Sequence, residues 1–90
     1  MKTKLKSLIQ RLVEAPAPPG YERGVRETIL TEIESHADEW RVDNLGNLIA
    51  RIGRVNEGGK KIMLAAHMDE IGLIITHIDE RGFIRFLPLG

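Results

Sequence analysis

Ile62-Met63-Leu64-Ala65-Ala66-His67-Met68-Asp69-Glu70-Ile71-Gly72-Leu73-Ile74-Ile75-Thr76-His77-Ile78 is the stretch whose reading decides the fold. Two apolar runs flank a short polar interruption that holds an imidazole and two carboxylates. Apolar runs this short and this rich in isoleucine predict strands over Lys61–Ala66 and Ile71–Ile78. In the second strand, simple alternation puts Ile71, Leu73, Ile75 and His77 on one face and Gly72, Ile74, Thr76 and Ile78 on the other. Both faces are then mostly apolar, as in a strand covered on both sides. Each large aliphatic side chain left in water forgoes roughly 1.5–3 kcal/mol of burial.

Towards the amino terminus the period lengthens. Leu5, Leu8, Ile9, Leu12 and Val13 recur at helical spacing, with Thr3 as the expected cap. Pro16, Pro18, Pro19 and Gly20 end that helix in a stiff turn. A second helix is expected from Tyr21 to Ala37, where Val25, Ile29, Ile33 and Ala37 share a face with Leu30 beside them. Beyond Trp40 the strand period takes over. Trp40–Asp43 and Leu48–Gly53 flank the turn residues Asn44-Leu45-Gly46-Asn47 and predict a hairpin. Asn56-Glu57-Gly58-Gly59 and Asp79-Glu80-Arg81-Gly82 supply further turns, and Phe83–Leu87 a last strand. The expected architecture is α/β, with two helices packed on a mixed sheet of about five short strands. Residues 1–90 are expected to form a single partial domain. Two helices cover one side of such a sheet, so the other side expects more polypeptide or a second copy.

The chain has 13 basic and 13 acidic residues in 90, interspersed along its length. Nucleic acid and anionic membranes are poor partners for it, since both call for a concentrated positive field. There is no cysteine, which excludes disulfides, thiolate zinc sites and cysteine nucleophiles. Any metal is held by imidazole and carboxylate. No secretory signal is read at the amino terminus, and Ile71–Ile78 is too short to span a bilayer. The expectation is a soluble, cytoplasmic protein.

His67-x-Asp69, at the end of the first predicted strand, carries the chemistry. Neutral imidazole is a good zinc or cobalt ligand. A carboxylate that takes the hydrogen bond from the other ring nitrogen holds the ring in one tautomer, and Asp69 suits that task. The tripeptide alone is unspecific, and a satisfied histidine at a strand end accounts for most of its occurrences. The wider string Ala65-Ala66-His67-Met68-Asp69-Glu70-Ile71-Gly72 is more telling. It closely resembles the signature of the glutamyl aminopeptidase and tetrahedral aminopeptidase family, also called endoglucanase M-like. Pro19-Gly20-Tyr21-Glu22, Asp43-Asn44-Leu45-Gly46-Asn47-Leu48, and Gly82-Phe83-Ile84 followed by Pro88-Leu89-Gly90 match in order, so the resemblance covers nearly the whole chain. Pro19 departs from it, standing where many members have serine.

The resemblance implies a cocatalytic metallopeptidase with two zinc or cobalt ions that removes amino-terminal residues from peptides and assembles into large oligomers. It assigns His67 as a metal ligand and Asp69 as the catalytic-site acid that orients it. Glu70 belongs to the string without a ligand role, and His36 and His77 match no ligand. It further implies that the bridging aspartate, the general-base glutamate and the remaining ligands belong to later segments. Two metals need about three or four ligands each, so the ninety residues alone are expected to be inactive. The alternative is a non-catalytic module of the same ancestry that self-associates or binds a partner through its sheet. A mononuclear site built from His67 with His36 or His77 is a third possibility.

Overall fold

The computed structural model describes residues 1–54 and 56–90. Helix α1 spans Lys2–Glu14 and helix α2 spans Arg23–Ile33. Thr3 is not the cap: α1 begins from Met1 with no side-chain cap bond. Ala15 ends it in extended backbone, φ −71° and ψ 119°, because the Pro16 ring crowds a helical residue before it. The second helix is shorter than its periodicity suggests. It gives way after Ile33 to a turn in which His36 and Ala37 both donate their N–H groups to the Ile33 carbonyl. The two helices lie against each other, joined by an Arg11–Glu32 ion pair.

The strands form two separate antiparallel hairpins: β1 (Glu39–Val42) with β2 (Leu48–Arg51), and β3 (Gly72–Ile78) with β4 (Ile84–Leu89). One device closes both. Asp43 Oδ1 accepts the N–H groups of Leu45 and Asn47, and Asp79 Oδ1 accepts those of Arg81 and Phe83. In each turn a glycine supplies the positive φ that a side chain resists, Gly46 at 86° and Gly82 at 83°. The first hairpin is tied to α2 by Arg26 Nη1, which donates to the Gly46 carbonyl at 3.0 Å.

The α/β class stands, with four short strands among the described residues paired as two antiparallel hairpins where one mixed sheet of about five was expected. Lys61–Ala66 runs without a strand partner among the described residues. Its composition says that it seeks burial on both faces, yet a ladder also needs a neighbour with free backbone groups. Ile62, Met63 and Leu64 are accordingly 86–93% exposed. A second correction concerns β3. The pairing shifts between Ile75↔Phe86 and His77↔Arg85, a bulge that inserts one residue and reverses the alternation beyond it. His77 therefore shares a face with Ile74, Arg85 and Leu87, while Ile78 joins Leu73, Ile75, Ile84 and Phe86.

Among the described residues only Ala17 and Val25 are buried apolar residues. The radius of gyration is 17.8 Å, against about 12 Å for a compact chain of this length. The accessible surface is 8381 Å², about 3,100 Å² more than the roughly 5,300 Å² a compact 10.1 kDa protein exposes. The helices and hairpins are well formed locally but share almost no core. Among the described residues no helix is long and apolar enough to cross a membrane.

Candidate functional site

The segment from Ala66 to Glu70 borders an open groove of about 700 Å³, together with Ala17, Val25 and Ile29 from the helical layer and Leu48 from β2. Two contacts fasten this segment beside the helices. The Glu70 N–H donates to the Ala17 carbonyl at 2.8 Å. Two residues on, Gly72 lies so close to Pro18 that an added Cβ would sit 2.8 Å from the proline Cβ.

Within the segment the chain turns so that the His67 ring faces Asp69. His67 Nδ1 lies 2.9 Å from the Asp69 carbonyl oxygen and 3.0 Å from Asp69 Oδ1. A carbonyl and an ionised carboxylate only accept hydrogen bonds. Nδ1 therefore carries the proton, and in the neutral ring the Nε2 lone pair is free. The His67 side chain is 85% exposed and that of Asp69 only 37%. The carboxylate is thus held near the protein while the ring reaches outward. A carboxylate placed in this way can orient a histidine that binds a metal through its other ring nitrogen.

His67 and Asp69 are the site residues that the fold brings together. Glu70 is exposed and contributes its backbone N–H. His36 lies in the turn after α2 and His77 in β3. Among the described residues, no group of three or more His, Cys, Asp or Glu side chains gathers to hold a metal ion. The residues present fit one ligand and its orienting carboxylate and do not fit a complete one-metal or two-metal site. The parts of the site that composition and motif left unread are Ala17, Pro18 and Gly72. Their one trace in the sequence is a rigid proline-rich turn and a glycine just after the polar interruption, which are signals of close backbone approach.

Known proteins resemble the chain along nearly its whole length. The family model described as M42 glutamyl aminopeptidase matches residues 46–90. The lysyl aminopeptidase of Pyrococcus furiosus is 40% identical over 84 residues, covering 92% of this chain and 23% of that protein. Among solved structures, the TET aminopeptidase of the marine sediment archaeon Thaumarchaeota archaeon SCGC AB-539-E09 superposes with a TM-score of 0.85 at 36% identity, covering 99% of this chain and 24% of that one. The endoglucanase structure from Thermotoga maritima gives a TM-score of 0.78 at 41% identity, over 89% of this chain and 25% of that one. The chain spans about a quarter of the length of the curated relatives it matches.

Proposed function

Because this chain belongs to the M42 glutamyl aminopeptidase family, we propose that it is the amino-terminal part of an aminopeptidase and supplies a metal ligand, His67, with the carboxylate that orients it, Asp69. The observation that carries the reading is the pair of acceptors around His67 Nδ1, which leaves Nε2 as the only ring nitrogen able to donate a lone pair. Two divalent ions, zinc or cobalt, would when bound act as Lewis acids on a scissile carbonyl and lower the pKa of a bound water.

The chain's own residues prepare one corner of such a centre. Asp69 accepts the hydrogen bond from Nδ1, so that the Nε2 lone pair is the one left to bind a metal, and it fixes the direction of the ring. The bond from Glu70 to Ala17 keeps Asp69 against the helical layer. The remaining ligands and the base belong to polypeptide outside these ninety residues, and peptides are the substrates of the assembled enzyme. By itself the chain is inactive, because a lone imidazole does not hold a catalytic metal against water. Soluble, cytoplasmic placement and assembly into homo-oligomers go with this reading.

A direct test is a chimera in which these ninety residues replace the matching segment of the Pyrococcus furiosus lysyl aminopeptidase. The chimera is expected to hydrolyse an aminoacyl anilide, and His67→Ala to lower kcat/KM by more than about 100-fold, beyond the range for loss of an orienting partner. Retention of activity without His67 would contradict the assignment.

The exposed apolar faces of β3 and β4 favour a second reading, a non-catalytic module that self-associates through this hairpin. Leu73, Ile75, Ile78, Ile84 and Phe86 are each more than half exposed. A compact monomer in sedimentation experiments on the ninety-residue chain would remove it.

A further inference from the structure

We propose that the proline-rich loop Pro16–Gly20 is a positioning clamp for His67, acting through the peptide group that joins Asp69 to Glu70. The loop touches neither a metal nor a substrate. It acts through that peptide on the ring, and its functional meaning rests on the reading of His67 as a ligand through Nε2.

The argument is geometric. The two polar groups of a single peptide unit face two different partners. Its N–H, from Glu70, donates to the Ala17 carbonyl at 2.8 Å. Its carbonyl, from Asp69, accepts from His67 Nδ1 at 2.9 Å. A trans peptide is planar, with N–H and C=O pointing in opposite directions, and no peptide among the described residues is cis. Once Ala17 takes the N–H, the Asp69 carbonyl must point the other way, and His67 lies there. The result is a chain of hydrogen bonds from a main-chain carbonyl through a peptide to an imidazole, in which each bond polarises the next.

The loop at the head of this chain is rigid. Three prolines fix φ at Pro16, Pro18 and Pro19. The Pro18 carbonyl accepts the Tyr21 N–H at 2.9 Å, and the Glu22 carboxylate accepts the Gly20 N–H at 2.8 Å. Ala17 itself is 2% exposed, in a chain that buries almost nothing else. A second contact prevents the segment from sliding: Gly72 sits against Pro18 with no room for a Cβ, which would come within 2.8 Å of the proline's own Cβ. Gly72 is absent from the positive-φ glycines, so clearance and not backbone conformation is what requires glycine there.

The test reads the ring directly, without metal. Nitrogen-15 NMR of the ninety-residue chain at about pH 8, above the ordinary imidazole range, reports which ring nitrogen of His67 bears the proton. Relative to an unstructured histidine, whose neutral ring prefers Nε2–H, the wild-type ring is expected to shift its preference towards Nδ1–H by roughly two- to tenfold, the factor that one net hydrogen bond supplies. Gly72→Ala, which pushes the segment off Pro18, is expected to cut that preference at least twofold. Adding Pro18→Gly removes the atom in the way and is expected to restore it. Gly82→Ala strains the distant β3–β4 turn and is expected to leave the ring unchanged.

A wild-type ring with the tautomer ratio of an unstructured histidine would overturn the proposal. So would a Gly72→Ala ring identical to wild type, or an equal change in Gly82→Ala. Because the readout involves no metal, failure of His67 to bind zinc in the chimera would sink the ligand assignment while leaving this coupling to stand or fall on the ring spectra alone.

Discussion

Replacing Asp69 separates the orienting role from the ligand role. His67 Nδ1 has two acceptors, the Asp69 carboxylate at 3.0 Å and the Asp69 main-chain carbonyl at 2.9 Å. Asp69→Asn leaves an amide oxygen able to accept the same hydrogen bond but removes the charge, and charge-assisted hydrogen bonds are roughly twice as strong as neutral ones. Asp69→Ala removes the side-chain acceptor and leaves only the carbonyl. Loss of an orienting partner costs a metal-bound histidine about 10–100-fold in affinity or activity. The surviving carbonyl places Asn near the lower end, about tenfold, and Ala towards the upper end.

The assay is zinc affinity of the chimera by competition with a chelator, with turnover measured on the same samples. The order His67→Ala worst, then Asp69→Ala, then Asp69→Asn is the expected result. An Asp69→Ala protein with unchanged affinity beside a His67→Ala protein that binds nothing would show that the carboxylate does not orient the ring.

Two more outcomes follow from the hairpins. Gly82→Ala places a side chain at φ 83° with nothing within 4 Å and should cost about 1–2 kcal/mol of backbone strain. Gly46→Ala adds a Cβ 3.1 Å from Arg26 Nη1 and so also disturbs the tether to α2. Its cost, about 2–3 kcal/mol, should therefore be the larger when read as lost amide-exchange protection in each hairpin. Acid should loosen the first turn as well. Hydrogen bonds from the Asn47 side chain and backbone, and then from the Leu45 N–H, hold the Asp43 carboxyl below its ordinary value of 3.8. A carboxyl depressed in the folded state stabilises it above the unfolded value, and that contribution is lost as pH falls through the folded one. Protection of the Leu45 and Asn47 amides should therefore fall below about pH 3.8, and Asp43→Asn should abolish the dependence.

Much of this molecule is legible in the sequence because the signals are local. The leucine and isoleucine spacing marks both helices, and Asp43 with Gly46 and Asp79 with Gly82 mark both hairpin turns. The candidate site stands out for a different reason: the string around His67 and Asp69 resembles a family signature, whereas the bare tripeptide carries little information. What escaped is long-range. Nothing in Lys61–Ala66 says which strand should lie beside it, so an apolar run reads as a paired strand even where the described residues offer it no partner. The bulge that moves His77 to the opposite face depends on the register with β4, which alternation within β3 cannot reveal. The bond from Glu70 to Ala17 joins two main-chain groups, and main-chain groups leave no mark in the residue names. Only the proline-rich turn and Gly72, kept small against Pro18, hint at it.

The most direct test of the central claim is where the metal sits. Zinc-edge anomalous diffraction from crystals of the chimera should place an ion about 2.0–2.1 Å from His67 Nε2, with Nδ1 still turned towards Asp69. Metal bound elsewhere with His67 free, or metal held through Nδ1 with Asp69 displaced, would contradict the account.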